Sequence, residues 1–239
     1  MIPLFYDHPV ALHPQAHGEL GLNLLSGYGF ASRTNAIPLA MSEFVLAAQS
    51  YPIAFTDEAR TRAVAVVGLR ADENLFVDAQ GHWLEGAYIP AYVRRYPFLL
   101  SEYGEGEGVE LCVESRVLSP SGLPIFRGDE PTELALQAMR FCQSVHAAEA
   151  ATTPFLSALA ACGLFEPRIA TVQIPNGDEV RLAGFQAIDE ARLSSLADEA
   201  FLVLRRQGWL EPIYSQIQSN QNWSRLGQML SARSLEQAA

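Results

Sequence analysis

Between Arg62 and Leu100 the chain leaves itself few ways to fold. Residues 62–69, RAVAVVGL, are β-branched and almost continuously apolar, the pattern of a strand covered on both faces. Asp72-Glu73-Asn74 turns the chain, Leu75-Phe76-Val77 runs back, and Ala79-Gln80-Gly81 turns it again before His82-Trp83-Leu84. Gly81 suits a left-handed position at that second turn. The expectation is a three-stranded meander. Pro90 then fits the first turn of a short helix, and Pro97 ends it. Tyr88, Tyr92 and Tyr96 stand at i, i+4 and i+8 around Arg94 and Arg95, so those that are helical share a face.

On either side the signals are shorter. Pro3, Pro9 and Pro14 break the first thirty residues into extended pieces, and Leu20–Leu24 alternates as a strand does. Asn35–Ser50 reads as a helix ended by Tyr51-Pro52, with Ile53-Ala54-Phe55 as a strand after it. Phe98–Leu100 and Val109–Val113 read as further strands around the acidic loop EYGEGEG. A Pro/Gly/Ser-rich connector covers Leu118–Asp129. After it Thr132 caps a helix whose apolar stripe is Leu134, Ala138, Phe141, Cys142 and Val145.

Thr153-Pro154 reads as the start of another helix, closed by Gly163. At Ile174-Pro175-Asn176-Gly177-Asp178 a three-residue loop with a bulge pairs Val172 with Val180 and Ala170 with Leu182. A two-residue loop would put Val172 against Arg181 and separate the apolar faces. Ser195 with Asp198 resembles a capping box. The fold class is α+β, with a mixed or largely antiparallel sheet in the first half and helices plus one β-hairpin in the second. The chain reads as one domain over 1–239, divisible into a sheet-rich part (1–117) and a helix-rich part (130–239).

Composition narrows the partners. Apolar residues make up 49% and charged residues 18% of the 239, enough to bury a core that offsets chain entropy. The net charge of −11 with no basic cluster longer than a pair argues against nucleic acid. All sixteen basic residues are Arg, which we read as a coding bias rather than ligand selection. Cys112, Cys142 and Cys162 have no CxxC spacing, which disfavours a disulfide framework or structural zinc. No run is long and apolar enough to span a membrane. The first residues do not resemble a secretory leader, so the expected location is cytoplasmic, with signal-independent export to the cell surface as the alternative.

Tyr88, Tyr92, Arg94, Arg95 and Tyr96 form the candidate ligand- or partner-binding cluster. Tyrosine and arginine are favoured where a surface must be apolar and hydrogen-bonding at once, and arginine clamps carboxylates. The competing reading is a short helix plugging one end of the sheet. Other candidates are weaker. His17-Gly18-Glu19, with His82 or His146, matches part of an iron facial triad. Asp78 and His82 flank a turn and offer either acid–base chemistry or an Asp capping its own turn. No nucleotide-binding fingerprint or serine-hydrolase elbow occurs. Catalytic residues are not identifiable, and no cofactor or metal is expected.

ENLFVDAQGHW with GAYIPAYVRRYPF, then LCVE, the connector, a helical pair ending in LFEP, and IDEARLSSLADEAFLVLRRQGWLEPIYSQI resemble the SapC family of bacterial proteins. TNAIPLAMSEFVLAAQSYPIAF fits as well, so the resemblance runs from about Pro9 to Leu230. The family takes its name from a component of a bacterial surface layer. Its members often lie in genomes beside halogenase-like and cupin-like proteins. A transporter permease of the same name is a different protein, since a permease needs spanning helices. The resemblance brings no catalytic residues with it. The Tyr/Arg cluster, with no catalytic motif beside it, points to a binding or accessory protein for a protein, peptide or small polar ligand. The alternatives are a surface-layer structural protein or an enzyme acting on modified amino acids or peptides.

Overall fold

The computed structural model describes residues 3–23, 26–56, 61–102, 108–173 and 179–238. The first half contains β1 (Pro9–Ala11), α1 (Pro14–His17), β2 (Gly21–Leu22), β3 (Ala36–Pro38), α2 (Phe44–Ala47), β4 (Ile53–Thr56), β5 (Ala63–Val66), α3 (Ala91–Arg94), β6 (Phe98–Glu102) and β7 (Val109–Glu114). Four two-residue strands follow: β8 (Leu118–Ser119), β9 (Leu123–Pro124), β10 (Phe126–Arg127) and β11 (Glu130–Pro131). The rest is α4 (Glu133–Ala161), β12 (Phe165–Gln173), β13 (Glu179–Ile188), α5 (Glu190–Ser194), α6 (Asp198–Arg206), α7 (Leu210–Ser219) and α8 (Asn222–Ala238). The α+β class holds, and every described strand pair is antiparallel.

The largest sheet has five strands in the order β12-β13-β4-β5-β3. Its β5, AVAV, is buried at every position, as its unbroken apolar run requires. The late hairpin β12–β13 joins this sheet through Phe185 opposite Thr56 and Gln186 opposite Phe55. Strands from both halves of the chain therefore make one sheet. The hairpin register is the one set by the apolar faces, with Val172 opposite Val180 and Ala170 opposite Leu182. Its turn, 174–178, lies outside the described residues, as does the acidic loop at 103–107.

A second sheet, β1-β7-β6, packs with the first half of α4 around Phe98, Val113, Ile125 and Cys142. The larger apolar cluster takes the five-stranded sheet, α7, α8 and the second half of α4. At about 1.5 Å per residue, the 29 residues of α4 reach across both clusters.

Several local expectations are corrected. Asn35–Ser50 is not one helix. Ala36–Pro38 pairs with β5, because Pro38 pushes Ile37 into extended backbone and Ile37 is fully buried there. Only one 3-10 turn (Met41–Glu43) and α2 remain helical. The meander is also reduced. Val77 and Trp83 make an isolated bridge, although Gly81 does take a left-handed φ of 84°. The carbonyls of Asn74, Leu75 and Val77 accept instead from the Arg233 guanidinium at 3.0, 3.2 and 3.1 Å.

No new helix starts at Thr153. α4 runs straight through Pro154 to a Gly163 with φ of 64°. A proline inside a helix costs about 3 kcal/mol. Phe155 and Leu159, both fully buried one turn apart, each contribute roughly 1.5–3 kcal/mol, which outweighs it. Nor do Ser195 and Asp198 form a capping box. Asp189 caps α5, its carboxylate accepting from Ala191 and Arg192 N–H at 3.0 Å each. Ser195 falls at the C-terminal end of that helix and bonds back to the Arg192 carbonyl.

The helical layer is tied to the sheet by buried polar side chains. Gln216, fully buried, donates to the Ile53 carbonyl at 2.9 Å and accepts from Ile188 N–H at 3.2 Å. Ser219 accepts from Ile53 N–H, and Asn222 donates to the carbonyls of Ala48 and Tyr51. Gln216→Leu would keep the volume and strand two buried backbone groups. Each such loss costs about 1–3 kcal/mol, so urea unfolding is expected to show a destabilisation of roughly 2–5 kcal/mol. A shift under 1 kcal/mol would mean that the clamp contributes nothing.

Candidate functional site

The aromatic and basic residues between Tyr88 and Tyr96 separate into three environments, because α3 is only one turn long and just Tyr92 of the three tyrosines lies in it. Pro90 precedes the helix as its N-cap.

Tyr88 and Arg94 make one group. The Tyr88 hydroxyl donates to Glu43 Oε1 at 2.9 Å and accepts from Arg94 Nη2 at 3.3 Å. Arg94 is exposed, donates to the Ile89 carbonyl at 3.0 Å and lies over the Phe141 ring at 5.3 Å. Burial, then the nearby Glu43 carboxylate, pushes the Tyr88 hydroxyl up to about 12. Tyr96 belongs to a second group. Its ring stacks on Phe30 at 4.0 Å and lies 5.3 Å from Tyr6, while its oxygen accepts from Arg116 Nε and Nη2. Arg116 in turn pairs with Asp7 at 2.8 Å. This group fastens the N-terminal segment.

Tyr92 and Arg95 are the pair that opens onto a cavity. Its volume is about 630 Å3. Pro3 and Leu4 form one side, Pro38 and Leu39 at the end of β3 another, and Arg62 and Ala63 at the start of β5 a third. The fourth is α4, through Glu149, Thr152, Thr153 and Leu156. Those four stand at 0, 3, 4 and 7, one face of a helix.

The guanidinium of Arg95 sits 4.0 Å from the Tyr92 ring centroid, a cation–π contact, and pairs with Glu149 at 3.2 Å. Its side chain is only 11% exposed, against 40% for Glu149. Arg95 Nε is buried and has no hydrogen-bond partner among the described residues. Burial works against the Arg95 charge, but Glu149, Tyr6 and Tyr92 outweigh it and hold its pKa above the ordinary value. Tyr92 is raised by burial and drawn back by Arg95. Arg62 at the mouth is exposed, and its guanidinium finds no acceptor among the described residues. Thr152 is committed to structure, accepting from Met41 N–H at 2.8 Å and donating to the Ala148 carbonyl at 2.8 Å.

A sequence model described as SapC matches residues 12–226. The chain belongs to the SapC family. No curated protein and no solved structure matches it. The SapC match takes in all of the cavity wall except Pro3 and Leu4. It does not assign a ligand or a reaction to these residues.

The other candidates resolve locally in this SapC chain. Asp78 Oδ1 accepts from Gln80 N–H at 2.9 Å and His82 N–H at 2.8 Å, and Oδ2 is 3.2 Å from His82 Nδ1. The backbone bond from His82, with the other turn bonds, lowers the Asp78 pKa, so the residue caps its own turn. His17 Nδ1 contacts the backbone of His13. Among the described residues no three His, Cys, Asp or Glu side chains are grouped to hold a metal, and no helix is long and apolar enough to cross a membrane.

Cys142 is buried beside the cavity wall, and burial pushes its thiol up to about 11. Cys142 and Tyr88 stay neutral in the folded chain beyond the pH at which they would ionise unfolded. The stability that Cys142 contributes is therefore complete below about pH 9 and lost as pH rises through about 11. For Tyr88 the corresponding values are 10 and about 12. The urea midpoint is expected to fall between pH 8 and 10.5, and to fall less in Cys142→Ala. An equal fall in both proteins would remove Cys142 from the account.

Proposed function

We propose that this SapC-family protein is a non-catalytic binding or accessory protein. Its ligand is a small polar molecule or peptide end carrying a carboxylate, held in the cavity beside Tyr92 and Arg95. The observation that carries the reading is Arg95 itself. A guanidinium offers five donors in a rigid fork. This one lies over a tyrosine ring, is largely shielded from solvent and stands on the wall of a cavity, with Nε unpartnered among the described residues. Arg62 adds a second guanidinium at the mouth, without an acceptor among the described residues. Shielding from water strengthens a charged hydrogen bond, and two arginines favour an anion with two acceptor oxygens.

The volume of about 630 Å3 lies in the usual range for small-ligand sites, about 300–1,000 Å3. A mostly apolar lining with a few convergent polar groups is also the usual composition of such sites.

Ligand-observed NMR against a panel of free amino acids, dipeptides and simple monocarboxylates tests the assignment. Members that bind the wild-type protein are expected to weaken at least about tenfold with Arg62→Ala and with Arg95→Ala. Arg94→Ala, whose guanidinium faces Phe141 and Tyr88, is expected to leave binding unchanged. The Arg62 variant guards against misfolding, since that side chain is exposed. Binding that survives both cavity variants, or a panel with no binder, overturns the proposal.

A further inference from the structure

The charge pattern of this cavity says more than that it accepts a carboxylate. Among the described residues its wall carries two guanidiniums, Arg62 and Arg95, and one carboxylate, Glu149. Glu149 is engaged by Arg95 through Oε1 alone at 3.2 Å, and 40% of its side chain remains exposed. A simple anion entering here meets Arg62 and Arg95 but also the field of Glu149. A simple cation meets Glu149 but also both arginines. A dianion such as a phosphate ester doubles its attraction to the arginines and its repulsion from Glu149 alike, and brings no positive group to the exposed part of Glu149. Only a ligand with both signs complements all three side chains.

Apart from Thr61, Thr152 and Thr153, the remaining described lining is apolar. Leu39, Tyr92 and Leu156 are buried side chains of the floor, and Leu4 and Pro38 flank them. The ligand body between its charged ends must therefore be apolar, because a polar body would lose its hydration without finding partners. Thr152 is committed to Met41 and Ala148, so Thr61 and Thr153, the latter on an exposed part of α4, add the neutral polar contacts.

We propose that the cavity selects a zwitterion with an apolar body, of amino-acid to dipeptide size. Its carboxylate lies against Arg62 and Arg95, and its ammonium against Glu149. This rests on the reading of the cavity as a carboxylate site and adds the second pole. The ammonium bonds the accessible part of the Glu149 carboxylate, while the carboxylate takes the arginine donors that Glu149 leaves unused. The row Arg62, ligand carboxylate, Arg95, Glu149, ligand ammonium then alternates in sign. Binding leaves the Arg95–Glu149 pair intact, so no buried charge is stranded, which would be costly.

Isothermal titration calorimetry with three probes tests it. L-leucyl-L-leucine carries both poles, 4-methylpentanoyl-L-leucine lacks the ammonium, and L-leucyl-L-leucine amide lacks the carboxylate. The dipeptide is expected to bind at least about ten times more tightly than either analogue. In Glu149→Gln the preference for the dipeptide over the acylated leucine is expected to disappear, while 4-methylpentanoyl-L-leucine keeps or gains affinity. If the acylated leucine binds wild-type protein as well as the dipeptide does, the ammonium site is wrong and the carboxylate site stands. If none of the three binds, both readings fall. The probe comparison uses unmutated protein, so a folding defect in Glu149→Gln cannot rescue or sink the proposal.

Discussion

The Glu43 carboxylate holds the cavity in shape. It is buried, and its two oxygens accept from three points of the chain: Ala40 N–H at 3.0 Å, the Tyr88 hydroxyl at 2.9 Å and Ala91 N–H at 2.7 Å. A buried carboxylate is tolerable only when it is bonded this fully. The consequence is geometric. Ala91 is the first residue of α3, so Glu43 fixes where that single turn begins and therefore where Tyr92 and Arg95 project. Tyr51 supports the same segment from below, accepting from Trp83 Nε1 and donating to the Tyr88 carbonyl. One turn of helix has little stability of its own. The arginine–tyrosine wall stands because side chains from elsewhere grip its start.

Some of this was legible in the sequence because it depends on short-range rules. The β12–β13 register follows from keeping Ala170, Val172, Val180 and Leu182 on one face, an argument that needs only a dozen residues. Gly81 and Gly163 follow from the need for left-handed backbone at a tight turn and a helix end. What was not legible is pairing across long separations. Nothing near Phe185 says that its strand will lie against Thr56, or near Gln216 that it will bridge Ile53 and Ile188. The missing helix over Asn35–Ser50 is a case of tertiary pairing overriding local pattern. Ile37 is worth more opposite Ala65 than in a helical turn that Pro38 already disfavours.

The cavity was half legible. Tyr92 and Arg95 stood out as residue types, but their neighbours in sequence face elsewhere, since Tyr88 precedes the helix and Tyr96 follows it. Glu149, Thr152, Thr153 and Leu156 carried a signal, the spacing 0, 3, 4 and 7. It was hidden by taking Thr153-Pro154 as a helix start, which splits the face in two. Weighing the burial of Phe155 and Leu159 against the proline would have restored it. Arg62 was hidden differently, as the polar end of a run read only for its strand.

Arg233 has a consequence for how the protein can be cut. It lies seven residues past the end of the SapC match, yet it donates to the carbonyls of Asn74, Leu75 and Val77 in the turn that leads into the Val77–Trp83 bridge. A fragment trimmed to residues 12–226 would keep every residue of the recognised sequence and still expose that row of acceptors. Carbonyls left without a donor cost stability. The trimmed fragment would then hold its shape less firmly than the whole chain, since a boundary placed by homology alone falls inside α8 and ahead of Arg233.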